Sequence, residues 1–157
     1  MWSLVLRNLF FTILQPGIVA GLVPYWILGS LSTAAFKNSL HSFQYIALFI
    51  FAAGVAILLY CISLFAVKGK GTLSPADPTK KLVVSGLYKF SRNPMYIGVM
   101  LMLIGEAVFF SSSSLWIYTA LVFIAFNLFI VLHEEPRLKE DFGREYQQYL
   151  KSVRRWL

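Results

Sequence analysis

The sequence predicts an all-α, polytopic membrane protein with about four transmembrane helices, and three observations carry that expectation. Hydrophobic residues make up 58% of the chain and the mean hydropathy is +0.68, well beyond a soluble domain, in which about half the residues are apolar. Only 13% of the residues are charged, and they gather in two blocks between long uncharged runs. Three of those runs, Leu9 to Leu31, Phe43 to Val67 and Pro94 to Leu132, meet or approach the roughly 20 apolar residues that one crossing needs. A single membrane domain over residues 1–157 follows.

The third run is too long for one span. The four serines at 111–114 divide it into two short helices, giving spans at about 9–31, 43–67, 94–110 and 115–132 and a helical hairpin in the C-terminal half. Pro16 and Pro24 fall inside the first span, where proline removes a helical hydrogen bond and bends the axis. The N-terminal run is preceded only by Arg7 and has no small-residue cleavage site, so it reads as retained. No prenylation or myristoylation box is present, and the one cysteine, Cys61, lies within an apolar run as packing.

Between the second and third spans lies a loop, 68–93, with six basic residues, and the tail after His133 carries six more. Lysine and arginine favour the cytosolic side. Loop and tail therefore face the cytosol, as do both termini, in the inner or plasma membrane if the source is bacterial. The net charge of +7 acts as an orientation signal and draws the chain to anionic headgroups, with no nucleic-acid partner implied. In the tail, 136–157, Leu138, Phe142, Tyr146, Tyr149, Leu150 and Val153 recur at spacings of three and four opposite the charges. That pattern predicts an amphipathic helix lying in the interface, with a break or a close approach at Gly143.

Two stretches hold more chemistry than a turn requires. In SRNPMYIG (91–98), Asn93 and Pro94 make a good helix start. A cap explains neither Arg92 nor Tyr96 beside Gly98. In LHEEPRL (132–138), an acidic helix N-terminus accounts for one glutamate more readily than for the adjacent pair Glu134 and Glu135. A hairpin of spans three and four would bring these stretches to one membrane face. Two carboxylates, a guanidinium, a tyrosine and a histidine would then surround one pocket, and polar groups clustered at membrane depth are usually functional.

The run from Gly71 to Gly98, followed by HEEPRLKEDFGREYQQYL (133–150), resembles the isoprenylcysteine carboxyl methyltransferase and phospholipid methyltransferase superfamily of membrane enzymes. The shared pattern is Gly-x-Tyr, then Arg-Asn-Pro or Arg-His-Pro, a tyrosine, and later Glu-Glu with Phe-Gly-x-x-Tyr. Asn93 stands where the eukaryotic type has histidine, and Gly105-Glu106-Ala107 matches the phospholipid type's Gly-x-Gly only in part.

The resemblance implies methyl transfer from S-adenosylmethionine to a lipid-like acceptor, a prenylcysteine-type carboxylate or a phospholipid amine. It places Tyr88, Arg92, Asn93, Tyr96, Glu134 and Glu135 around the cofactor, and His133, beside the two glutamates, is taken with them as a cofactor-binding residue. Paired carboxylates suit the donor's two cations, and Arg92 suits its carboxylate. Arg137 would hold a carboxylate acceptor, whereas an amine acceptor would lose its proton to Glu134 or His133. No metal is needed, and no second histidine lies near His133.

Two other classes compete for the same sequence. Glu106, about twelve residues into the third span and roughly 18 Å along its axis, could couple protons to export in a small four-helix transporter, or be a structural acid that bonds the turn serines or stays protonated. A nicotinamide-dependent membrane reductase would want several arginines around its phosphates, and the glutamate pair disfavours it.

Overall fold

The computed structural model of the chain describes residues 16–29, 40–64 and 82–156, and every regular element among them is helical. Helix α1 spans Ile18–Leu28, α2 Ser42–Leu64, α3 Pro94–Phe109, α4 Ser113–Phe129 and α5 Glu135–Ser152. Two of the helices, α2 and the one that begins with α4, are long and apolar enough to cross a membrane, while α1 and α3 are apolar and shorter. Residues 9–15 and 30–31 of the expected first span, 65–67 of the second and 68–81 of the loop lie outside the described residues.

The expected bend in the first span is present, and it sits where proline chemistry puts it. Pro24 removes the N–H that would bond Ala20 and crowds that residue's carbonyl. Ala20 leaves the helical region (φ −109°, ψ 20°), inside a π-turn over Ile18–Leu22. A second π-turn, Ile130–Glu134, links α4 to α5 just before Pro136 and passes the chain between them without a loop.

Helices α2 and α3 run antiparallel with their backbones in contact. A Cβ placed on Gly54 would lie 2.6 Å from the Gly98 carbonyl, and one on Gly105 would lie 2.9 Å from the Ala47 carbonyl. Both helices thus repeat a small residue at a spacing of seven along one seam. In lipid, helices associate through such close packing because the surrounding tails are as apolar as leucine. Gln44 locks one end: its side chain accepts from the His41 N–H at 2.9 Å and donates to the Phe109 carbonyl at 3.2 Å.

The interior is built from Ala20, Leu58, Val99, Leu103 and Val122. Helix α1 lies against α3 and α4, and the Tyr118 hydroxyl donates to the Val19 carbonyl at 2.9 Å. The opposite faces of α2 and α4 expose Tyr45, Ile46, Phe49, Leu59, Ile117, Leu121, Ile124 and Leu128. Apolar faces this extended are what a lipid-exposed helix presents.

The hairpin turn between α3 and α4 uses the serines as expected. Ser111 takes φ +48°, and the Ser112 hydroxyl caps α4 by accepting from the Leu115 N–H at 3.4 Å. Helix α5 turns Tyr146 and Tyr149 inward while Lys139, Arg144, Glu145 and Lys151 stay exposed. Of the two readings of Gly143, the break is the one found: its φ of +49° and ψ of −117° interrupt the helix, and a Cβ there would have open space.

Candidate functional site

The hairpin brings the two motifs together. Helix α3 starts at Pro94 with Asn93 in the N-cap position, so Tyr96 projects from its first turn; the π-turn delivers Glu134 and Glu135 from the neighbouring helix. The Tyr96 hydroxyl donates to Glu134 Oε2 at 3.0 Å, and Arg92 Nη1 lies 3.2 Å from Glu135 Oε1.

The adjacent acids have different surroundings. Glu135 is buried and held by two guanidiniums: besides Arg92, Arg155 donates from Nε to Oε1 at 2.8 Å and from Nη2 to Oε2 at 3.1 Å. Such a bidentate fork is the strongest geometry available to a carboxylate. Glu134 is half-buried, with Tyr96 as its bonded neighbour and Arg137 close enough to favour its charge. Burial pushes the Glu134 carboxyl above the ordinary range, and the Glu135 charge adds to that; the Tyr96 bond and Arg137 pull the other way.

Asn93 occupies the cap position, but its side chain makes no capping bond. Its amide instead donates to the Arg155 carbonyl at 3.0 Å, which also accepts from the Ser91 hydroxyl at 3.2 Å. The Ser91 oxygen in turn accepts from the Asn93 N–H at 3.1 Å. The Arg92 N–H donates to the Arg154 carbonyl at 2.9 Å. The segment after α5 therefore doubles back along Ser91–Asn93, and it is pinned at its end by Trp156, whose indole N–H donates to Asn127 Oδ1 at 3.1 Å.

Tyr88 is buried in the short 3-10 turn Gly86–Lys89, with its hydroxyl bonded to the Cys61 thiol of α2 and its carbonyl accepting from the Tyr149 hydroxyl at 2.6 Å. Burial pushes both phenols up, Tyr149 to about 12, so both stay protonated as donors. Arg137 is partly exposed and lies 3.7 Å from Asp141. His133 is exposed and stacks on Phe129 of its own helix, with ring centroids 5.5 Å apart. The geometry thus gathers Arg92, Tyr96, Glu134 and Glu135, sets Arg137 beside them, and leaves His133 on the outer face. Glu106 is far along α3, and its Oε2 is buried without a hydrogen-bond partner, so that oxygen does not take the turn serines.

Sequence reasoning missed Ser91, Asn127 and Arg155. The only sequence signal for Arg155 was a pair of adjacent arginines at the end of an otherwise amphipathic tail.

A sequence profile described as phospholipid methyltransferase matches residues 43–145. Protein-S-isoprenylcysteine O-methyltransferase B of Arabidopsis thaliana is 34% identical over 73 residues, which cover 46% of this chain and 37% of the plant protein. A probable protein-S-isoprenylcysteine O-methyltransferase of Oryza sativa subsp. indica is 32% identical over 73 residues, 46% of this chain and 38% of its own length. A protein of Haemophilus influenzae with no assigned activity is 33% identical over 63 residues, 40% of this chain and all of its own length. No solved structure matches. The chain belongs to the phospholipid methyltransferase family, in the superfamily that also holds the isoprenylcysteine methyltransferases. Its alignments with the plant enzymes span a little over a third of their length.

Proposed function

We propose that the protein transfers a methyl group from S-adenosylmethionine to the polar end of a lipid-like acceptor at the cytosolic face of a membrane. The observation that carries this reading is the contrast between the adjacent acids. Glu135 is saturated by two guanidiniums, whereas Glu134 is bonded through one oxygen to Tyr96 and keeps its other oxygen, Oε1, outside that bond.

The residues present fit such a donor. Glu134 supplies an anion for its sulfonium or ammonium group. Arg92 supplies donors for its carboxylate, because Nε and Nη1 are buried and neither makes a hydrogen bond, although Nη1 is ion-paired to Glu135. Bound there, S-adenosylmethionine would provide an electrophilic methyl, and the protein's part is to place the acceptor in line with it.

For a carboxylate acceptor no base is required, and Arg137, partly exposed beside Glu134, is the side chain to hold it. For an amine acceptor, Glu134 takes the proton, since a carboxyl raised by burial is a better base than an ordinary one. His133 is the less suited base because its ring stacks outward on Phe129. A lipid-like acceptor accounts for a helical scaffold with apolar faces: its chain stays between helices or in lipid while its polar end reaches the charged cluster.

The test is incubation of the purified protein with methyl-labelled S-adenosylmethionine and a fractionated lipid extract. Label is expected in an amphiphilic fraction. Label confined to soluble small molecules would remove the lipid-like acceptor, and no labelled product in any fraction would remove the methyltransferase reading.

A further inference from the structure

We propose that Arg155 is a positioning residue for the donor site: by taking both oxygens of Glu135, it leaves Nε and Nη1 of Arg92 without a hydrogen bond and so able to turn to the donor's carboxylate. This rests on the reading of Arg92 as the carboxylate-binding residue.

Glu135 is a buried carboxylate, its side chain 11% exposed, and a buried anion must have both oxygens compensated. Arg92 reaches Oε1 alone. Arg155 takes both oxygens with good geometry from outside the cluster, its side chain being 35% exposed. With Glu135 satisfied, Arg92 is held at ion-pair distance yet keeps two nitrogens, both inaccessible to water, without a hydrogen bond. Buried donors left in that state cost free energy unless a ligand uses them. If Arg155 were absent, Arg92 would be the remaining cation for Glu135 and would turn its own fork onto both oxygens.

The same residue orients the peptide that carries Arg92. The Arg155 carbonyl accepts from Ser91 and Asn93, on either side of it, while the Arg154 carbonyl accepts from the Arg92 N–H. The backbone of this segment fixes where Arg92 starts, and the Arg155 side chain determines where its guanidinium ends.

The experiment is calorimetric titration of S-adenosylhomocysteine into full-length protein in detergent micelles, for the wild type, Arg155→Gln, Glu135→Gln and the double variant, with the melting temperature of each. Arg155→Gln is expected to weaken binding roughly 10- to 100-fold in the wild-type background. In the Glu135→Gln background, where no buried carboxylate competes for Arg92, the same change is expected to matter less than about threefold. Unchanged affinity in Arg155→Gln, or the same loss in both backgrounds, overturns the proposal. If Arg155→Gln does not fold, Arg155→Lys, which keeps the charge but loses the fork, is read in both backgrounds against the same two outcomes. A wild type that binds no probe overturns the donor reading itself and this inference with it; a wild type that binds while Arg155 is indifferent overturns only this inference.

Discussion

Tyr96 and Glu134 stand 38 positions apart in sequence and 3.0 Å apart in space, the tyrosine hydroxyl donating to Oε2. The bond joins the first turn of α3 to the π-turn after α4, and it favours the ionised form of the acid. Tyr96→Phe removes it while keeping the ring against Phe126, where the centroids are 4.6 Å apart. Methyl transfer should fall about tenfold with little change in melting temperature, a loss of about 1–2 kcal/mol in line with one bond to a charged group. Steady-state kinetics beside a thermal melt checks this.

The pH dependence follows from the same carboxyl. Glu134 has its pKa raised, chiefly by burial, so activity that requires its ionised form should rise with pH along a limb above the ordinary carboxylate range. The stability effect has the opposite sign. Between the ordinary and the raised value the unfolded chain has lost a proton that the folded chain keeps, so stability falls as pH rises through that window. Glu134→Gln should flatten both trends, and Tyr96→Phe should move the activity limb to still higher pH. Rate profiles and melts over the same buffer series measure the two effects.

The adjacent glutamates should separate cleanly in mutagenesis. Glu135→Gln leaves Arg92 and Arg155 facing each other without their shared anion, and removing one partner of a buried pair costs about 3–5 kcal/mol; a large drop in melting temperature is expected. Glu134→Gln removes a half-buried charge that costs free energy to bury, so its melting temperature should hold or rise while donor affinity falls. Melts and donor titrations on both variants check this contrast.

Much of this arrangement was legible in the sequence, and the misses have physical causes. The apolar runs at 43–67, 94–110 and 115–132 overlap α2, α3 and α4, because hydropathy is a local property. Proline gave the bend at Ala20 for the same reason. The meeting of Tyr96 with Glu134 followed from hairpin topology. The role of Arg155 did not, since it depends on the chain reversing after Ser152 and lying along Ser91–Asn93, a long-range return that no periodicity encodes. Asn93 shows the limit of local rules: its position is that of a cap, but its side-chain N–H donates to the Arg155 carbonyl and the side chain makes no capping bond.

The α2/α3 seam yields a prediction independent of chemistry. Gly54→Ala gains up to about 1 kcal/mol of helix propensity, but its Cβ would lie 2.6 Å from the Gly98 carbonyl and 2.8 Å from the Met102 nitrogen, both backbone atoms. Overpacking of about 1–3 kcal/mol should win. The variant is expected to melt lower in detergent than the wild type. Gly21→Ala, whose Cβ would meet nothing within 4 Å, should not.

Equilibrium binding of labelled S-adenosylmethionine to the wild type, Glu134→Gln, Arg92→Ala and Glu106→Gln, each reconstituted in lipid nanodiscs, tests the central claim most directly. Saturable binding by the wild type and by Glu106→Gln, with losses of about tenfold or more in the other two, is the predicted result. Wild type that binds no donor, or Glu134→Gln and Arg92→Ala that bind as tightly as wild type, would contradict it.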